Sequence, residues 1–107
     1  MKVESGYASG RLTIRLSGEL DHHAARSAME KIGEELDEYL PRECAMDLSD
    51  LSFMDSSGIA LLVNLHRRMQ DLGGRVWVEN PSSQARRVLE AAGIERFVQM
   101  AVIGGKA

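Results

Sequence analysis

Several things are scarce in this sequence, and each scarcity removes a class of protein. One cysteine, Cys44, stands among 107 residues, so no internal disulfide can form, and its apolar surroundings suit a small buried side chain. That thiol usage fits a reducing compartment, and the cytoplasm is the expected location. No apolar run approaches the ~20 residues needed to cross a bilayer. The opening MKVESGYASGRL has no apolar segment of the kind that directs secretion. Bases are not in excess: 13 Lys and Arg stand against 16 Asp and Glu, for a formal charge of −3. That balance offers no stripe for nucleic acid and no polybasic arm for a membrane. Long polar tracts are also missing, which excludes a disordered chain.

What remains is ordinary in bulk and informative in pattern. Hydrophobic residues make up 44% and charged residues 27%, enough for one modest core over residues 1–107. RLTIRLS (11–17) alternates strictly, with Leu12, Ile14 and Leu16 on one face, and reads as a half-exposed strand. Val3 and Tyr7 suggest a strand before it, with Ser9-Gly10 as the hairpin turn. After Asp21 the period changes. Ala25, Ala28, Met29, Ile32, Leu36 and Tyr39 recur at three and four, an amphipathic helix ended by Pro41.

ECAMDL (43–48) reads as a more buried strand. A second helix over 57–72 follows, closed by Gly73-Gly74, and RVWVE (75–79) is the next strand. Ser82 or Ser83 opens a third helix that runs to Ala92 before Gly93, and RFVQMAV (96–102) is a short strand or an extended tail. The order β-β-α-β-α-β-α-β predicts an α/β domain, its parallel strands joined by right-handed crossovers and its first hairpin adding an antiparallel edge. The exposed face of RLTIRLS implies that one side of the sheet is less covered.

The chemically distinctive stretch is LSFMDSSGIALLV (51–63), where Asp55, Ser56, Ser57 and Gly58 interrupt apolar sequence. A serine nucleophile elbow needs Gly-x-Ser-x-Gly, but Met54 and Asp55 occupy the required glycine positions. The one downstream histidine, His66, lies on a helix's apolar face, so no triad can be assembled. Gly73-Gly74 and Gly104-Gly105 lack the Gly-Lys-Ser/Thr of a phosphate loop. His22 and His23 diverge, and Cys44 and His66 have no closely spaced partner, so no metal is expected. Two readings of the knot stay open. Asp55 or Ser56 caps the following helix, or a hydroxyl at that helix start accepts a phosphoryl group. For GELDHH (18–23) the plain reading is that Asp21 caps a helix and the histidines are solvated.

Two ordered strings now carry a resemblance. Gly18-Glu19-Leu20-Asp21-His22-His23 and Asp47 through Gly58, ending LSFMDSSG, resemble the anti-sigma factor antagonists, STAS-domain proteins of the stage II sporulation AA type. The likeness runs through Gly73-Gly74 and Ala92-Gly93-Ile94. Ala60 and Leu61 depart from the family's glycine-rich continuation, which stiffens the helix start. The resemblance implies a mixed sheet of four or five strands with helices mainly on one face, and no enzymatic activity or cofactor. It implies that the unphosphorylated protein binds a nucleotide-bound anti-sigma factor that is also a serine kinase, freeing the sigma factor for transcription. Phosphorylation of Ser56 then ends binding, and a metal-dependent serine phosphatase reverses it. Gly18, Glu19, Asp21, His22, His23, Asp55, Ser56, Ser57 and Gly58 are the expected partner surface. A general stress partner switch, or a STAS module sensing a nucleotide or other small ligand, is the alternative.

Overall fold

Alternation in the second strand decides how the molecule is layered. In a computed structural model, which describes residues 1–101, β1 spans Lys2–Ala8 and β2 spans Arg11–Leu20. Leu12, Ile14 and Leu16 are fully buried, while Arg11, Thr13 and Arg15 between them are exposed. One face of the sheet therefore meets the core and the other meets solvent. The remaining elements are α1 (His22–Tyr39), β3 (Glu43–Met54), α2 (Ser56–Asp71), β4 (Arg75–Glu79), α3 (Ser83–Ala91) and β5 (Gln99–Ala101). The five strands lie in sequence order, β1 antiparallel to β2 and every later pair parallel. This is the mixed α/β sheet that the sequence predicts.

Each helix contributes its buried stripe to one continuous core. Ala25, Ala28, Ile32 and Leu36 of α1, Leu61, Leu62, Leu65 and Met69 of α2, and Ala85 and Leu89 of α3 pack on Leu12, Ile14, Met46 and Val78. Cys44 belongs to the same core, where burial, with a smaller push from the Glu35 carboxylate, raises its thiol pKa to about 12. A thiol so placed is a packing group. α1 ends as Leu40 adopts a left-handed conformation (φ 46°) and donates back to the Leu36 carbonyl, one residue before Pro41.

The opposite face of the sheet carries a ladder of charge. Glu43 accepts from Arg11 and Arg75, both at 3.1 Å, and Arg15 pairs with Asp47 at 3.3 Å. The Arg11 and Arg75 guanidinium groups lie 5.0 and 5.4 Å from the centre of the Trp77 ring. Hydrogen bonds from Arg75 and then Arg11 hold the Glu43 carboxyl below its usual value. The exposed side of the sheet is thus internally paired.

Two expectations need correction. The third strand runs to Met54, not Leu48, and β2 runs to Leu20, beyond Ser17. Register shifts between Arg15 and Ser17 and between Gly18 and Glu19 break the two-residue period, so β3 buries Leu48, Leu51 and Met54 at intervals of three. The short strand expected within 96–102 is present, but it begins later than expected, after a helical turn. Gly93 (φ 67°) starts a short 3-10 turn over Ile94–Arg96, Val98 is buried, and only Gln99–Ala101 pairs with β4. Val102, Gly104-Gly105 and the rest of the tail lie outside the described residues. No helix among the described residues is long and apolar enough to cross a membrane.

Candidate functional site

Parallel pairing of β2 and β3 brings the two distinctive strings to one edge. Leu20 and Met54 are register partners, so Asp21 and Asp55 are each the first residue beyond adjacent strand ends. Both have extended backbone and both cap the helix they precede. Asp21 Oδ1 accepts from the Ala24 N–H at 2.9 Å, and Asp55 Oδ1 accepts from the Ser57 N–H at 2.8 Å. Side-chain caps of this kind are worth about 1 kcal/mol each. The plain reading of Asp21 as a cap therefore holds, and its carboxylate is already engaged.

With Asp55 supplying the cap, Ser56 is released from that duty. It is the first residue of α2, it is exposed, and its hydroxyl has no protein hydrogen-bond partner among the described residues. Ser57 is half-buried, and its backbone rather than its hydroxyl makes the capping bond. Gly58 is buried. A Cβ there would stand 2.7 Å from two atoms of Met54 and 3.0 Å from Leu20 Cδ2, so this glycine lets α2 close on the ends of both strands. Its place in the site is packing beneath the surface.

The GELDHH string divides as it leaves β2. Gly18 sits at the register shift with φ 99°, a conformation that favours glycine, and its carbonyl accepts from Ser52 Oγ at 3.1 Å. Glu19, Asp21 and His23 line a depression of about 680 Å³ against the start of β1. His22 turns the other way, into a depression between α1 and α2 that it shares with Arg26, Ser57 and Asn64. Both histidines are exposed. The edge therefore joins His22 to Ser57 and leaves His23 on a separate flank.

Two residues of this edge escaped the sequence reading. Gln84, in the first turn of α3, accepts from the Met54 N–H at 2.8 Å and donates to the Met54 carbonyl at 3.0 Å. That paired contact satisfies the last backbone groups of β3 and fixes the departure of the chain into Asp55-Ser56. Nothing local marks it, because its partner is 30 residues away. Phe53 is the second. It stands opposite Glu19 and is 40% exposed, an aromatic side chain on the rim of the site. Its signal lies in the three-residue spacing of buried Leu51 and Met54, which turns the two residues between them, Ser52 and Phe53, outward.

Known proteins place this arrangement in context. Residues 3–103 match the STAS domain family. An anti-sigma F factor antagonist of Lysinibacillus sphaericus is 37% identical over 83 residues, covering 78% of this chain and 71% of the relative. The fold superposes on the unphosphorylated anti-sigma factor antagonist SpoIIAA with a TM-score of 0.81 and 31% identity, over 94% of this chain and 88% of that one. The phosphorylated form of the Bacillus cell fate determinant SpoIIAA gives 0.72 at 31% identity, over 94% and 91%. The five-stranded sheet of this chain, the edge at which its GELDHH and LSFMDSSG strings meet, and these matches agree: the chain belongs to the STAS domain family, and the anti-sigma factor antagonists are the relatives it resembles.

Proposed function

We propose that this chain is an anti-sigma factor antagonist, a regulatory binding domain over residues 1–107 that works in the cytoplasm of a sporulation-type pathway. Its unphosphorylated form binds a nucleotide-bound anti-sigma factor that is also a serine kinase, and the sigma factor is released. The surface that makes this contact is the edge built from Gly18, Glu19, Asp21, His22, His23, Asp55, Ser56 and Ser57, with Phe53 on its rim and Gly58 packed beneath. The observation that carries the reading is the Ser56 hydroxyl, exposed and unpartnered at the first turn of α2 while Asp55 holds the cap. A hydroxyl so placed is presented to another protein's chemistry. No base of this chain is hydrogen-bonded to it among the described residues, which fits a group that is acted upon.

In the phosphorylation step the kinase transfers the γ-phosphoryl group of ATP. A bond forms from Ser56 Oγ to phosphorus, the bond to the ADP oxygen breaks, and the hydroxyl proton leaves to a base of the kinase. The product gains roughly −1.5 to −2 charges at neutral pH. It sits where a partner must remove water, so bulk and charge together end the complex without a change of fold. A metal-dependent serine phosphatase restores the hydroxyl.

Incubation with the cognate kinase and ATP, followed by phosphosite mapping, tests the reading. The phosphate is expected on Ser56. Ser56→Ala should abolish its incorporation while leaving binding to the ADP-bound kinase within about twofold, since the change leaves the Asp55 cap in place and brings neither charge nor bulk to the contact surface. A phosphate mapped to Ser57 would overturn the assignment.

A further inference from the structure

Two depressions flank the start of α2, and they differ in what they offer an anion. On the α3 side, Ser56 shares a depression of about 430 Å³ with Ile59, Val88, Ala91, Ala92 and one cation, Arg87. Gln84 also lines it, but its amide is committed in both directions to the Met54 backbone. No carboxylate lines this wall. Arg87 is exposed and makes no ion pair or hydrogen bond among the described residues, whereas its neighbour Arg86 reaches Glu90 at 3.5 Å. An unpaired guanidinium therefore stands across an apolar-walled groove from an unpaired hydroxyl.

We propose that Arg87 is the counter-ion of phosphorylated Ser56, closing an ion pair across the α2–α3 groove. The inference rests on the reading of Ser56 as the phosphoryl acceptor. A phosphoserine carries three strong acceptor oxygens, and a guanidinium presents its donors in a planar fork that matches them. Ile59, Val88 and Ala91 supply no competing acceptor along this wall, so the guanidinium's donors are left to the phosphate. Ser57 faces the other way, toward the α1 side, where Arg26 and His22 lie. Arg26 is therefore the natural control. The pairing docks the phosphate over the groove, ties the start of α2 to α3, and leaves the phosphate's bulk on the surface that the partner covers.

Titration of the phosphate by phosphorus NMR tests this directly. Phosphoserine is installed at position 56 by genetic encoding in the wild-type background and in Arg87→Gln, Arg87→Lys and Arg26→Gln backgrounds. An unperturbed phosphoserine loses its second proton near pH ~6. In the wild-type background that pKa is expected lower, and Arg87→Gln should raise it by about one unit, the low end for loss of a close opposite charge. Arg87→Lys should keep most of the depression, and Arg26→Gln should leave it intact. Equal values in the wild-type and Arg87→Gln backgrounds overturn the proposal, as does a larger rise in Arg26→Gln than in Arg87→Gln. Because the phosphate is placed without a kinase, this result stands apart from the phosphosite map, which alone decides whether Ser56 is the natural acceptor.

Discussion

Ser56→Asp is expected to weaken binding to the ADP-bound anti-sigma kinase by about 100-fold, measured by calorimetry or surface plasmon resonance. A carboxylate forced into a desolvated contact where the partner offers it no donor costs several kcal/mol, and each ~1.4 kcal/mol is a factor of ten in affinity. The aspartate stands next to Asp55, whose carboxylate is fixed toward the Ser57 N–H and cannot turn away without losing the cap. Its effect should fall short of that of the phosphate, which carries more charge and more bulk. The fold should be unaffected, because position 56 is exposed and acidic groups are favoured at helix N-termini. An unchanged dissociation constant would count against exclusion by charge.

Gly74→Ala is expected to be the most damaging glycine-to-alanine change among the described residues. A Cβ at Gly74 would lie 2.4 Å from the Arg42 carbonyl oxygen and 2.9 Å from its carbon, backbone atoms rather than a side chain that could swing aside. That carbonyl accepts from the Arg75 N–H at 3.1 Å, the Arg42 N–H donates to Gly10 at 2.9 Å, and the Gly74 N–H donates to Met69 at 2.8 Å. The clash therefore falls on the junction where α2 hands over to β4. A loss of about 3 kcal/mol is expected, at the upper end for overpacking. That corresponds to a melting temperature lower by roughly 12–24 °C for a domain near 100 residues. Trp77, the single tryptophan, lies in the next strand and reports the transition by fluorescence in urea. Gly73→Ala makes a useful contrast. Gly73 has φ 73° with nothing close to its Cβ position, so only conformational strain is added there, about 1–2 kcal/mol. Equal unfolding midpoints for Gly74→Ala and the wild type would contradict this account.

How much of this could be read from the chain depends on how local each signal is. The alternation of RLTIRLS announced both the strand and its open face, and the three-and-four spacing from Ala25 to Leu36 announced α1. Gly93 marked the end of α3 because a left-handed residue there is a local event. The far halves of β2 and β3 were harder, since paired register shifts replace the two-residue rhythm with Leu48, Leu51 and Met54. Only pairing with the neighbouring strand explains that spacing. The candidate site divides along the same line. The strings GELDHH and LSFMDSSG were visible, but their meeting at one edge follows from the Leu20–Met54 register. The choice between Asp55 and Ser56 as cap needed the backbone geometry of one turn. Gln84 and Arg87 could not be singled out at all, because their significance comes from Met54 and Ser56, some 30 residues earlier.

The central claim is that the edge at the ends of β2 and β3, and not the charged face of the sheet, receives the partner. Chemical-shift mapping of the isotopically labelled, unphosphorylated protein with the ADP-bound anti-sigma kinase tests it most directly. The account predicts that the perturbed amides cluster at residues 19–23 and 53–57. Perturbations centred instead on Arg11, Glu43, Arg75 and Trp77 would contradict it.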